Sequence, residues 1–198
     1  MKIPRILKQA LLLVAFLAPG SAAWADWELD ETRSAINFVS IKNDSVAEIH
    51  SFADLVGYIG AAGNVQMTIN LDAVETLVAI RNERMRELLF ETVKYPSAQL
   101  SAKVEPAVLD EAAKGGTVTA ELPVTLALHG KEKTLTVAVV VVGAGDGSLR
   151  VFTARPVVVN AADFGLEGGV TALRDIAGLK AISGAIPVTL QLHFVQAK

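Results

Sequence analysis

The residues of this chain that could do chemistry include three histidines. His129 and His193 share the two-residue phase of the polar positions in their segments, and His50 shares the phase of Glu48. In alternating strands such side chains point outward, so we expect three solvated histidines that do not converge on a metal ion. The chain also has no cysteine, which excludes thiolate catalysis and cysteine-ligated metals.

The sequence also lacks the common motifs of catalysis and of nucleotide binding. The sequence has no Gly-x-Ser-x-Gly segment that would present a nucleophilic serine. The glycine-rich segment 165–169 is not followed by a Lys-Ser/Thr pair, so it is not a phosphate-binding loop. We therefore predict a protein that is not an enzyme and has neither a metal site nor a cofactor.

Three arginines, Arg81, Arg84 and Arg86, could bind an anionic head group such as a pyrophosphate, because guanidinium groups match phosphate oxygens. The alternative is a solvated helix face with Glu83–Arg86 and Arg84–Glu87 pairs at i, i+3 spacing. We favour the solvated face, because arginines beside acidic residues are common on exposed helices.

The arginines fall in a predicted helix at about 81–92. Met85, Leu88, Leu89 and Val93 form an apolar stripe at helical spacing, Asn82 is the expected N-cap, and the proline at position 96 requires the helix to stop before it. Nearly all other segments alternate with a period of two. A lone amphipathic helix among strands must cover something, and we expect Met85, Leu88, Leu89 and Phe90 to face an apolar interior.

The alternating segments predict about eight antiparallel strands, with a short second helix at about 170–176. A sandwich and a closed barrel are both compatible with this pattern. Glycine corners at Gly57, Gly60 and Gly63, together with hairpin connections, favour the barrel. An eight-stranded barrel can hold one slender ligand if its own side chains do not fill it.

Segment 137–142 is apolar on both faces, because Val140 and Val142 lie opposite the inward valines of the same strand. A strand apolar on both sides must be covered by a helix, a loop or a second subunit. A homodimer through this strand is therefore one of our predictions.

The inward-facing residues are the main candidate site, either as the wall of a ligand tunnel or simply as packed core, and periodicity alone favours packed core. The candidate ligand-binding residues, including those of the covering helix, are Ile36, Phe38, Val65, Met67, Met85, Leu89, Phe90, Leu126, Leu128, Val139, Val141, Phe164, Leu192 and Phe194.

The N-terminal segment 1–25 has the pattern of a secretory signal peptide cleaved after Ala25. Lys2, Arg5 and Lys8 precede a short apolar run, and an Ala-Trp-Ala cleavage pattern ends it. The remaining segment, 26–198, is predicted to be one exported domain with fifteen basic and 21 acidic residues, a net charge of −6. This balance argues against nucleic acid and against simple docking on anionic lipid, and export without disulfides favours the periplasm.

Several motifs in order resemble the YceI-like family over nearly all of 26–198. They are Trp27-x-Leu29-Asp30 with Ser34-x-Ile36-x-Phe38, the segment from Arg81 to Pro96, Leu126-x-Leu128-His129-Gly130, and the run from Asn160 to Leu166. The resemblance implies a lipocalin-like periplasmic barrel that binds a long isoprenoid or similar amphiphile and performs no catalysis. It also implies association with a cytochrome b561-type membrane protein.

Two features depart from the family pattern. Many members carry an Arg-Asp pair and then a histidine where this chain has Arg81-Asn82 and Arg84, and aromatic residues are only 6% of the sequence. We therefore expect a mainly aliphatic wall. The resemblance favours a cavity over a packed core. Two alternatives remain: a filled barrel that docks on a membrane-protein partner, and an enzyme acting on a lipid held in the barrel.

Overall fold

The computed structural model describes residues 25–197, so the predicted signal peptide lies almost entirely outside the described residues. The strands, numbered in chain order, are β1 Ala25–Leu29, β2 Ala35–Lys42, β3 Val46–Phe52, β4 Leu55–Gly60, β5 Asn64–Asn70, β6 Val74–Glu75, β7 Ser97–Lys103, β8 Thr117–Leu128, β9 Lys131–Gly143, β10 Leu149–Thr153, β11 Val157–Asn160 and β12 Ala185–Gln196.

The strands close into an eight-stranded antiparallel barrel, as predicted. The closed path runs β1-β4-β5-β7-β8-β9-β10-β12 and returns to β1, because β12 pairs with both β10 and β1. At the other end of the barrel β2, β3, β6 and β11 continue these strands: β12 pairs with β2 and β11, and β3 pairs with β2 and β6. Short breaks thus let several strands bend around the barrel.

The longest hairpin joins β8 to β9 through His129 and Gly130. Both residues have positive φ, +51° and +73°, which is the backbone of a tight two-residue turn that follows the twist of the strands. Inward positions along β9 are Val137, Val139 and Val141, all buried. The register of this hairpin fixes which residues face the interior.

Three helices and three short 3-10 turns complete the structure. They are α1 Ala79–Arg84 with its continuation Met85–Phe90, α2 Pro106–Ala113, α3 Glu167–Ile176, and the turns Glu31–Arg33, Leu71–Ala73 and Ala161–Phe164. The predicted helix at 170–176 lies within α3. Helix α2 was not predicted, and its buried Leu109 and Ala112 close one end of the barrel. A side chain at Gly143 would meet the carbonyl of Ala112 at 1.5 Å, so this close approach requires glycine.

The covering helix differs in detail from the prediction. It begins at Ala79 rather than at Asn82, and Met85–Phe90 is a π-helix, which Glu91 ends in the left-handed conformation. The π-helical turn places residues four and five apart on one face, so Met85, Leu89 and Phe90 face inward.

The wider turn also leaves other parts of the predicted stripe outside. Leu88 is 37% exposed and Val93 is fully exposed, so the expectation that Leu88 faces the interior is wrong. Asn82 is not an N-cap of this helix: its Oδ1 instead accepts hydrogen bonds from the amide and hydroxyl of Thr76, at 2.9 and 2.5 Å.

Candidate functional site

A cavity of about 570 Å³ runs through the barrel interior. A space of this size is far larger than the voids of a packed core, few of which exceed a single water molecule. A packed core does not keep such a space. The barrel is therefore not filled by its own side chains, and its interior presents an apolar wall.

The wall of this cavity, called the tunnel below, contains every predicted ligand-binding residue except Phe164. They are Ile36, Phe38, Val65, Met67, Met85, Leu89, Phe90, Leu126, Leu128, Val139, Val141, Leu192 and Phe194. Their contact with a ligand stays a prediction. Phe164 is fully buried but lies in the 3-10 turn after β11 and is not on the tunnel wall.

One end of the tunnel is roofed by the π-helix and α3, which pack closely against each other. The contact is made at Gly169, where a side chain would meet the carbonyl oxygen of Leu88 at 2.5 Å and Cα of Leu89 at 2.7 Å. Val170 and Leu173 of α3 also line the tunnel. The roof is thus two helical segments whose distance is set by one glycine.

The tunnel opens beside α1, and its charged lining residues cluster there. Oε2 of Glu48 accepts hydrogen bonds from Nζ of Lys42 at 2.8 Å and from Nη1 of Arg81 at 2.7 Å. The hydrogen bond from Lys42, helped by the charge of Arg81, lowers the pKa of Glu48. Arg84 completes the set, so the mouth has three cationic side chains and one carboxylate.

The arginines are therefore not all on a solvated helix face. Arg81 points to the mouth, where its Nη2 also donates to the carbonyl of Thr76 at 2.6 Å. Within the described residues, no ion pair joins Glu83 to Arg86 or Arg84 to Glu87, so the predicted i, i+3 pairs do not form.

His50 lies deeper in the tunnel than these charges. It is 4% exposed, its Nε2 is 2.8 Å from Oγ of Ser40, and its ring lies 5.1 Å from the ring of Phe38. Burial, together with the charge of Arg81, lowers the pKa of His50, so the imidazole is neutral at pH 7. The expectation of a solvated, outward-facing His50 is wrong.

The other two histidines are also more enclosed than predicted. His193 does point away from the tunnel, but its side chain is buried because the Glu31–Arg33 turn packs on β12. Next to this turn, Oγ of Ser34 accepts a hydrogen bond from the amide of His193 at 2.9 Å. Burial, with a smaller effect from Arg33, lowers the pKa of His193. His129 is half-buried, and its Nε2 lies 2.7 Å from the carboxylate of Glu91. This contact joins the end of the roof to the β8–β9 turn.

Sequence reasoning missed the residues that give the mouth its polarity. Ser40 and Lys42 continue the inward phase of Ile36 and Phe38 along β2, so a signal was present. Glu48 and His50 likewise share the inward phase of β3. The polarity of Glu48 and His50 suggested outward positions. Inward residues near an opening can also be polar, so that inference failed.

The strand with two apolar faces is already covered within one chain. Ala138 on its outer side is 5% exposed, and Val140 and Val142 are half-buried. A homodimer through this strand stays a prediction, but no second subunit is needed to cover it.

Between residues 25 and 197 there is no group of three or more histidine, cysteine, aspartate or glutamate side chains placed to hold a metal ion. Across the same part of the chain, no helix is long and apolar enough to cross a membrane.

The closed barrel with an apolar tunnel defines a class of small β-barrel proteins that can enclose a lipophilic guest. The model of the YceI-like domain family matches residues 27–194, and the chain therefore belongs to the YceI-like family. Curated proteins gave no match.

Solved structures show the same fold. A polyisoprenoid-binding domain from Saccharophagus degradans, implicated in plant cell wall breakdown, is 35% identical with a TM-score of 0.85 over 88% of this chain and 100% of that chain. BcnA from Burkholderia cenocepacia is 19% identical, with a TM-score of 0.64 over 83% of this chain and 98% of that chain. The YceI protein of Campylobacter jejuni is 16% identical, with a TM-score of 0.51 over 75% of this chain and 84% of that chain.

Proposed function

We propose that this protein binds one long isoprenoid or similar amphiphilic lipid in the tunnel and carries it through the periplasm without changing it chemically. The observation that carries this proposal is the apolar cavity of about 570 Å³ inside the barrel. Ten buried methylene groups of a ligand would contribute about 8 kcal/mol before the costs of association, so length of chain gives affinity. The likeness to a structure named as a polyisoprenoid-binding domain supports the ligand class.

The polar groups favour binding over catalysis. Ser40 and His50 are at the distance of a nucleophile and its base, but among the described residues Nδ1 of His50 has no hydrogen-bond partner that would orient the ring. The pair instead offers a neutral hydrogen-bonding group beside the aromatic ring of Phe38. We propose that the lipid chain fills the apolar wall and that its polar head lies near the mouth.

Location and partners extend this proposal. The predicted signal peptide at 1–25 supports action in the periplasm. A cytochrome b561-type membrane partner, implied by the family resemblance, stays a prediction.

Native mass spectrometry of gently purified protein tests the binding function. We expect a co-purifying lipid mass on the wild-type protein, and displacement of that lipid by an added prenyl quinone. Leu100→Trp, which puts an indole into the tunnel, should carry less lipid, while Gln99→Trp on the exposed face of the same strand should carry a normal load. A ligand-free wild-type protein that also fails to bind prenyl quinones would refute the function.

A further inference from the structure

The rim of the tunnel mouth has an unusual group of exposed apolar side chains. Leu77 is 89% exposed, Val78 42%, Ile80 51% and Ile176 51%. Val78, Ile80 and Ile176 also line the tunnel, so apolar surface extends from the interior onto the rim beside the charged residues of the mouth. We call these four residues the mouth rim.

Leu77, the most exposed residue of the mouth rim, is held outward by a hydrogen-bonded turn. Its φ is +61°, a conformation that a leucine rarely adopts, and its amide donates to the carboxylate of Glu75. The same carboxylate accepts from Nδ2 of Asn82 at 3.1 Å. Glu75 of β6, held in turn by Asn82 of α1, therefore fixes the turn that keeps this leucine away from the core, where an apolar side chain would otherwise pack.

The charge of the tunnel lining is opposite in sign to that of the chain as a whole, while Glu75 places one carboxylate beside Leu77 on the rim. Residues 26–198 have a net charge of −6, yet the charged residues that line the tunnel are Lys42, Arg81, Arg84 and Glu48, a local charge of +2. The sum of charges argued against anionic lipid, but local charge decides what a surface meets within a Debye length of about 8 Å.

From the apolar rim and the local positive charge, we propose that the mouth rim docks on a bilayer surface containing anionic phospholipid. The rim side chains enter the acyl boundary and the cationic mouth meets the phosphates, as at other interfacial sites. A lipid chain could then pass between bilayer and tunnel without crossing water. A symmetric pairing with a second copy would instead bring two positively charged mouths together.

The docking proposal rests on the proposed lipid carriage, but vesicle flotation tests docking separately. Vesicles of phosphatidylcholine with phosphatidylglycerol, and vesicles of phosphatidylcholine alone, are floated with purified protein. We expect the wild type to partition onto the anionic vesicles, more weakly at high salt. The double variant Leu77→Asp with Ile176→Asp should lower the partition coefficient by about tenfold or more, since two apolar contacts become charges facing phosphate.

The matched control is Val56→Asp, because Val56 is 62% exposed on the outer wall in β4 and is not part of the tunnel lining. It should bind vesicles like the wild type. All altered positions are exposed, and unchanged far-UV circular dichroism and melting temperature would establish that each variant folds.

The outcomes separate docking from carriage. Wild-type protein that co-purifies with lipid but does not float with anionic vesicles overturns the docking and leaves the carrier function standing. Vesicle binding by a protein that carries no lipid supports docking and removes carriage. Equal flotation of the double variant and wild type overturns the docking site. Loss of a wild-type dimer in the double variant, without vesicle binding, would show that the rim joins two copies instead.

Discussion

The close contact between α3 and the π-helix predicts that alanine has different effects at two neighbouring glycines. A side chain at Gly168 would meet nothing within 4 Å, whereas one at Gly169 would meet backbone atoms of Leu88 and Leu89 at 2.5 and 2.7 Å. Both glycines lie in α3, so replacement by alanine gives either site the same gain in helix propensity, about 1 kcal/mol. Only Gly169→Ala must also move the roof of the tunnel.

The size of that movement follows from the distances. Ordinary contact begins at 3.4 Å, so a methyl group at position 169 requires the two segments to separate by roughly 1 Å, and overpacking of this kind costs about 1–3 kcal/mol. We expect Gly168→Ala to stabilise the protein by about 1 kcal/mol, or about 2–4 °C in melting temperature. Gly169→Ala should be neutral to about 2 kcal/mol less stable than wild type.

Two measurements check the pair of variants. Chemical denaturation gives the free energies of unfolding, and the dissociation rate of a bound prenyl quinone reports whether the roof has loosened. We expect faster dissociation only in Gly169→Ala. If both alanine variants are stabilised equally and release ligand at the wild-type rate, the roof is not set by this glycine and our account of the contact fails.

Two further predictions concern the roof and the buried histidines. Leu89→Asp, which puts a carboxylate on the tunnel wall, should lower the free energy of unfolding by about 2 kcal/mol or more and reduce lipid retention. Arg86→Ala on the same segment should change the free energy of unfolding by less than about 0.5 kcal/mol. Denaturation and native mass spectrometry measure the two effects, and equal small effects would mean that the helix does not roof the tunnel. Burial lowers the pKa values of His50 and His193 from 6.5, so below pH 6.5 the unfolded chain binds protons that the folded chain does not. The stability that these two groups contribute is therefore fully present above pH 6.5 and is lost as pH falls through their folded pKa values. The slope of unfolding free energy against pH just below 6.5 should therefore be shallower in His193→Gln than in wild type, and identical slopes would contradict the assigned burial.

The fold could be predicted because its signal is local. In a strand, successive side chains point to opposite faces, so Val137, Val139 and Val141 had to share one face whatever lay beyond them. The same logic placed the predicted strand residues on the tunnel wall, while helical spacing placed Met85 and Leu89 there. Phe164 was the exception, since it lies in a 3-10 turn where a period of two does not apply.

One error has a clear physical cause. Glu48 and His50 were assigned to the outer face because they are polar, yet they face inward near the open end of the barrel, as does Lys42. Phase alone, followed from Phe38 through Ser40, would have placed the β2 residues correctly. No local pattern shows where a barrel opens, because the opening depends on which helices roof the ends.

Sequence by itself indicated alternating strands, a barrel in preference to a sandwich, a covering helix and the apolar character of the wall, since all of these follow from backbone geometry and residue spacing. Tertiary structure alone decided that the interior is a cavity rather than a core, that α2 closes one end, and that Lys42 and Arg81 meet Glu48 at the mouth. These features depend on the distances between segments far apart in the chain. Whether inward side chains meet or leave a space is set by the circumference of the closed barrel, which no single segment encodes.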